Sequence, residues 1–281
     1  MSPPKLSDTC APRETAMITT DFIPGSPCWI KLSTPDVDPT VAFYRGVIGW
    51  DAVSAGPDTA GYVLFQKDGK SVGGVDPLMA EDARSVWTVY FTCSDADATA
   101  RTAEGLGGTV HMKPIDVLDL GRAAEISDPQ GGRFGVWQAG SFPGFEVADA
   151  AGSVCWTELY TPDAQRAMEF YADLFGWGFQ DMDTPGDSTQ TYTLLTPAGA
   201  GDERMHGGLM QTDTAAIPGA EGRAYWHPVL AVADCDAAVA QVRAGGGQVF
   251  MGPEDAEGVG RLSVAHDPFG AEFVLLTPSP E

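Results

Sequence analysis

Two stretches of this 281-residue chain are near copies of one another. Pro27–Trp50 reads PCWIKLSTPDVDPTVAFYRGVIGW, and Val154–Trp177 reads VCWTELYTPDAQRAMEFYADLFGW. Trp29/Trp156, Leu32/Leu159, Thr34/Thr161, Pro35/Pro162, Asp36/Asp163, Phe43/Phe170, Tyr44/Tyr171, Gly49/Gly176 and Trp50/Trp177 coincide at a constant offset of 127 residues. The chain is therefore an internal duplication, and a repeat must be found before any fold is assigned.

A second repeat lies between the copies and after them. Asp95/Asp234, Gly107-Gly108/Gly246-Gly247, Asp128-Pro129/Asp267-Pro268 and Gly131/Gly270 recur at an offset of 139. Four units follow. In the first, Trp29–Thr34 alternates as a strand, Pro35-Asp36 opens a helix over Val37–Val47, and Lys67-Asp68-Gly69 turns a hairpin between Gly61–Gln66 and Ser71–Val75. In the second, VWTVYFTCSD is a strand ending in an Asp cap, ADATARTAEGLGG is a helix stopped by glycines, and DPQGG turns between two later strands. The third and fourth units repeat this order, so each unit is expected to be β-α-β-β-β. The fold class is α+β: four such modules paired 1+2 and 3+4 into two tandem domains, each a curved sheet around a cavity with helices outside. The expected division is a disordered tail at 1–26, a first domain at 27–138, a Gly/Ala-rich linker at 139–153 and a second domain at 154–278.

Composition narrows the partners. A net charge of −23 disfavours nucleic acid and anionic membranes, which would repel the chain. Five cysteines, odd in number and without a CxxC pair, suit a reducing cytoplasm rather than a disulfide framework. No apolar run has the length of a membrane span, and the N-terminus lacks the regions of a secretory signal. A monomer or homodimer is expected, since one chain holds both halves of each cavity.

The strand–TPD–FY…GW pattern of Thr34–Trp50 and Thr161–Trp177 resembles the odd modules of the vicinal oxygen chelate superfamily of glyoxalases, bleomycin-resistance proteins and extradiol dioxygenases. The pattern of Trp87–Gly131 and Trp226–Gly270, with its Asp, Gly-Gly and DP-x-G, is similar to the even modules. The similarity extends over about residues 27–278 and is nearest to two-domain actinobacterial proteins often labelled hydroxylases. It implies metal ligands on the first strand of each module, at Trp29, Thr88, Trp156 and His227. It implies others on the last strands, at Gly135 and Val274 and near Gly73-Gly74 and Gly207-Gly208. Only His227 is of ligand type, and one imidazole cannot hold a divalent metal that takes three or four protein donors. No cofactor is therefore expected; Glu158, His206 and Glu272 are the residues that would have to rebuild a metal site.

Strand parity then sorts the two cavities. In the second, Trp156, Glu158 and Tyr160 share the face where the family carries its ligand, with His227 and Glu272 on neighbouring strands and His206 at the mouth. Two carboxylates, an imidazole and a phenol in a partly apolar pocket suit proton transfer, with Glu158 and His227 as the acid/base pair. In the first cavity, Trp29, Lys31, Tyr90 and Arg133 occupy the inward positions. Lys31 answers Glu158 and Arg133 answers Glu272, so the cavities have diverged and one active half is expected. His111 and His266 read as surface residues, and Asp267 as a turn former. P-loop, GxGxxG, GxSxG and HExxH motifs are missing.

The leading expectation is a metal-independent enzyme of secondary metabolism. It would act on an aromatic or polycyclic molecule by acid/base isomerisation, elimination, ring opening or cyclisation, or by hydroxylation. The alternatives are an antibiotic-sequestering protein like the bleomycin-resistance relatives and a metal-dependent dioxygenase or lyase.

Overall fold

The structure, a computed structural model, describes residues 18–57, 59–78, 84–183, 191–217 and 219–279. Each duplicated stretch opens with an alternating strand, β1 (Pro27–Thr34) and, in the second half, β9 (Val154–Thr161). Pro-Asp then ends extension and starts helix α1 (Val37–Ile48) or α3 (Ala164–Phe175). Asp163 caps α3 by accepting from the Arg166 amide. Gly49 and Gly176 stop the two helices in the left-handed conformation, with φ of 78° and 70°.

The first half continues with β2 (Asp51–Ser54), β3 (Val63–Lys67), β4 (Lys70–Pro77), β5 (Val86–Thr92), α2 (Ala96–Gly105), β6 (Thr109–Val117), β7 (Gly121–Ser127) and β8 (Arg133–Ala139). The second continues with β10 (Gly178–Asp183), β11 (Thr191–Thr196), β12 (Gly207–Gln211), β13 (Tyr225–Ala231), α4 (Cys235–Ala244), β14 (Gln248–Ala256), β15 (Gly260–His266) and β16 (Glu272–Pro278). The short strands β2 and β10 are the ones the sequence did not delimit.

The halves form separate eight-stranded sheets, ordered β2-β3-β4-β1-β5-β8-β7-β6 and β10-β11-β12-β9-β13-β16-β15-β14. In each, two βαβββ modules meet along an antiparallel pair, β1 with β5 and β9 with β13. The pairing 1+2 and 3+4 is thus the observed one. The sheets curve into cups but do not close, because each module ends its run in a hairpin with no strand beyond it.

One hydrophobic core serves both halves. Phe43 on α1 packs 6.2 Å from Phe273 on β16, and Phe170 on α3 packs 6.3 Å from Phe134 on β8. Each odd-module helix therefore covers part of the opposite half. Phe91 on β5 meets Trp226 on β13 at 5.2 Å. The repeated residues lock this junction. Tyr171 donates to Asp128 at 3.1 Å, and Trp226 donates to Tyr171 at 2.8 Å. Tyr44 reaches Asp267 at 3.5 Å, and Trp87 donates to Tyr44 at 3.2 Å. The other oxygen of each aspartate accepts two backbone amides of its own DP turn, so Asp267 is a turn former as expected.

Two expectations about connecting segments change. Ile18 is buried and the Gly25 carbonyl accepts from Trp177 at 2.9 Å, so the chain is packed well before residue 27. Residues 1–17, including Cys10, lie outside the described residues. The segment joining the halves is also more than a spacer. Phe142 and Phe145 pack on Trp29 at 5.1 and 5.7 Å, and the Phe145 amide donates to Cys28 at 2.9 Å. Gly144, at φ 143°, passes so close to that carbonyl that a β-carbon would lie 2.3 Å from it.

Candidate functional site

The pairing of β9 with β13 sets Glu158 directly opposite His227 and Tyr160 opposite Tyr225. Parity points these side chains into the second cup. Trp156 donates to the Tyr192 hydroxyl at 2.8 Å, and Tyr192 donates to Glu158 Oε1 at 2.7 Å. Glu158 Oε2 lies 2.9 Å from His227 Nε2. On the other side, His227 Nδ1 lies 3.6 Å from Glu272 Oε1 and has no hydrogen-bond partner. Glu272 in turn accepts from Tyr225 at 2.9 Å and faces His266 Nε2 at 3.0 Å. The result is one chain of polar groups across the cup floor: Trp156, Tyr192, Glu158, His227, Glu272, His266. Apolar residues of β13, β15 and β16, among them Val229, Val264, Val274 and Leu276, form the rest of the wall.

The electrostatics follow from this order. Burial opposes a proton charge on His227, but its hydrogen bond to Glu158 and the charges of Glu272 and Glu158 more than offset it, and its pKa is raised. Burial likewise opposes charge on Glu272, yet the His266 hydrogen bond, the His227 charge and the Tyr225 hydroxyl lower its pKa. Burial, reinforced by Glu158, keeps the phenols of Tyr160 and Tyr192 protonated. The arrangement favours the charged form of an imidazole set between two carboxylates. Access is uneven: the His227 side chain is 1% exposed, against 16% for Glu158 and 12% for Glu272. The carboxylates are what a molecule in the cup can touch.

The first cup keeps the tryptophan–tyrosine pair and replaces the rest. Trp29 donates to Tyr62 at 2.8 Å, as Trp156 does to Tyr192. Lys31 is held by Glu125 at 2.7 Å and Asp76 at 3.1 Å, and Tyr90 donates to Glu125 at 2.7 Å. Phe142 and Phe145 fill the space over Trp29. Arg133 stands at the edge, its guanidinium 3.3 Å from His111 Nδ1.

Of the residues singled out in the sequence, Trp156, Glu158, Tyr160, His227 and Glu272 meet in the second cup, and Trp29, Lys31 and Tyr90 in the first. His206 does not line a cup. It is 1% exposed in the shared core, its ring 4.8 Å from Trp177 and 6.0 Å from Phe91, with both nitrogens unpartnered. Burial holds its pKa down at about 3. His206 just precedes β12 with its ring in the shared core, while Gly208 pairs with Glu158 on β9. His266 is buried beside Glu272 rather than at the surface, whereas His111 is exposed as expected. Tyr192, Tyr225 and His266 were missed. Tyr225 is legible two residues before His227 on the same strand face; His266 becomes legible only through the β15–β16 register that sets it against Glu272.

The donors present do not fit a divalent metal of the family type. A β-carbon on Gly208 would lie 2.0 Å from the Tyr192 ring, one on Gly74 2.0 Å from Tyr62, and one on Gly135 2.1 Å from Tyr90. Tyrosine rings thus occupy the room that ligand side chains from those strands would need. His227 has its two nitrogens turned to carboxylates on opposite sides, which leaves no shared point for the three to converge on. Among the described residues no group of three or more His, Cys, Asp or Glu side chains is placed to hold a metal.

Comparison with known proteins agrees on the fold. The family model for the Glyoxalase/Bleomycin resistance protein/Dioxygenase superfamily matches residues 28–136 and 153–275. The chain is 36% identical over 272 residues to the anthracycline biosynthesis protein DnrV of Streptomyces peucetius, covering 92% of this chain and 94% of that one. Among solved structures, 2,2',3-trihydroxybiphenyl 1,2-dioxygenase of Sphingomonas wittichii superposes with a TM-score of 0.62 at 17% identity, over 91% of both chains. The Mn(II)-bound glyoxalase of Novosphingobium aromaticivorans gives 0.58 at 16% identity, over 92% of this chain and 88% of that one.

Proposed function

The chain belongs to the glyoxalase, bleomycin-resistance and dioxygenase superfamily, and from that premise we propose that it is an enzyme of secondary metabolism catalysing a metal-independent proton transfer on an aromatic or polycyclic substrate. What carries this reading is the Glu158–His227–Glu272 chain on the floor of the second cup. Similarity over nearly the whole length to an anthracycline biosynthesis protein supports the substrate class.

Glu158 is the group that meets the substrate. Its carboxylate takes a proton from an acidic C–H or O–H and returns it elsewhere on the same molecule, which is the chemistry of isomerisation, elimination or cyclisation. Tyr192 and His227 fix its two oxygens and disperse the negative charge. His227, expected from the sequence as the acid or base that complements Glu158, is buried beneath it and serves as the proton reservoir. Glu272 holds the imidazole charged from behind, and Trp156 and Tyr160 supply flat walls for a ring system. Because the folded protein keeps the His227 proton to higher pH than a free histidine, turnover should fall as pH rises through that raised value.

A binding protein is the competing reading, favoured by the saturation of Glu158 and Glu272 with internal hydrogen bonds. Incubation with aromatic polyketide intermediates, followed by mass spectrometry and chiral chromatography, separates the two. Conversion that Glu158→Gln reduces at least about a hundredfold is the expected result. Tight binding with the ligand recovered unchanged would establish the binder.

A further inference from the structure

The structure assigns a second ligand site, for an organic carboxylate with an aromatic body, in the cleft between the two halves. The cleft has a volume of about 520 Å³, the size that holds a drug-like molecule. Arg84, Arg133, Arg223 and His111 line it, with Trp87 and Trp226 behind them. Among the described residues no Asp or Glu lines it, in a chain with 39 acidic and 16 basic residues. A cleft of the opposite sign to its protein is an electrostatic trap for anions.

The duplication builds this cleft. Arg84 and Arg223 are repeat-equivalent, and each crosses to the DP-x-G turn of the other half. A β-carbon on Gly270 would lie 2.9 Å from Arg84 Nε, and one on Gly131 3.0 Å from Arg223 Cδ. The repeated glycines are therefore seats for the repeated arginines. Arg223 has one exposed partner, Glu221, whereas Arg84 and Arg133 form no ion pair among the described residues. Arg133 instead faces His111 at 3.3 Å, and Glu125, a carboxylate that feels its charge, is already bound to Lys31 and Tyr90. Three like charges gathered with Glu221 as their one ion-pair partner among the described residues cost free energy that a bound carboxylate returns, and arginine forks match carboxylate geometry.

Arg84 and Tyr225 also line the adjoining cavity of about 160 Å³, which runs to His266 and Glu272 at the end of the second cup. A carboxylate anchored at Arg84 can thus extend its ring system toward the proton-transfer chain. This names an acidic substrate class, and only that orientation rests on the acid/base reading.

Titration calorimetry of the full chain with 2-naphthoate and with 2-naphthamide tests it. Naphthoate should bind at least tenfold tighter than the neutral amide, and Arg133→Gln and Arg84→Gln should each weaken naphthoate about tenfold while Arg84→Lys weakens it less. Circular dichroism checks that each variant folds; Arg133 is exposed, so its variant keeps the test decisive if Arg84→Gln does not. Glu158→Gln should bind naphthoate like the parent, so loss of turnover in that variant leaves this result standing. Equal affinity for acid and amide, or no effect of either arginine replacement, overturns the site. Inorganic phosphate binding as tightly as naphthoate overturns the assignment to an aromatic carboxylate.

Discussion

The two cups began as the same structure and now hold different chemistry. Both keep a tryptophan on the first strand bonded to a tyrosine that rests on a glycine, Trp29–Tyr62–Gly74 and Trp156–Tyr192–Gly208. Around that shared trio, the first cup contains an amine already matched by two carboxylates and is covered by Phe142 and Phe145. The second contains an imidazole between two carboxylates, and Trp156 is less buried than Trp29. An amine held by two carboxylates at 2.7 and 3.1 Å has its charge already matched within the protein. A buried imidazole between carboxylates that are 16% and 12% exposed can pass a proton to a molecule that reaches them. On the function proposed above, the second cup reacts and the first supports it.

Neutralising the matched positions separates the two cups most strongly. Glu158→Gln should cut turnover by about a hundredfold or more, while Lys31→Met should leave it within about threefold, measured on the same substrate. Equal losses would show that both cups react. Next in size, Phe145→Ala removes the lid of the first cup and should cost about 3–5 kcal/mol in a denaturant titration, with turnover per folded molecule unchanged.

The halves also differ in the core. His206 stands where the first half has Val72, both buried. With its folded pKa near 3 and an unfolded value near 6.5, the folded state binds fewer protons than the unfolded state between those limits. Stability should therefore drop as pH falls below 6.5, and His206→Val should recover about 3 kcal/mol at pH 4. Thermal melts of both proteins from pH 7 to 4 measure it; parallel curves would exclude His206 as the cause. The smallest effect is that of Lys31→Met on stability, about 1–3 kcal/mol, because Asp76 and Glu125 lose their counter-charge but remain partly solvated. A smaller loss for the Lys31→Met, Glu125→Gln pair than for Lys31→Met alone would confirm that unpaired charge is responsible.

Local patterns determined a large part of this protein from sequence. Alternation placed β1 and β9, Pro-Asp and Gly placed the ends of α1 and α3, and the offsets of 127 and 139 gave four modules in two pairs. Strand parity put Trp156, Glu158 and Tyr160 on one face, because a strand alternates its side chains whatever surrounds it. Tertiary structure decided what parity cannot reach. Register between β15 and β16 brought His266 to Glu272, and packing of α1 and α3 onto opposite sheets turned the repeated tyrosines and aspartates into a junction. The segment taken for a linker became a lid on the first cup, and His206 went to the core. Each of these depends on contacts between residues far apart in the chain, where the energy lies in which surfaces meet, and periodicity along one segment carries no record of that.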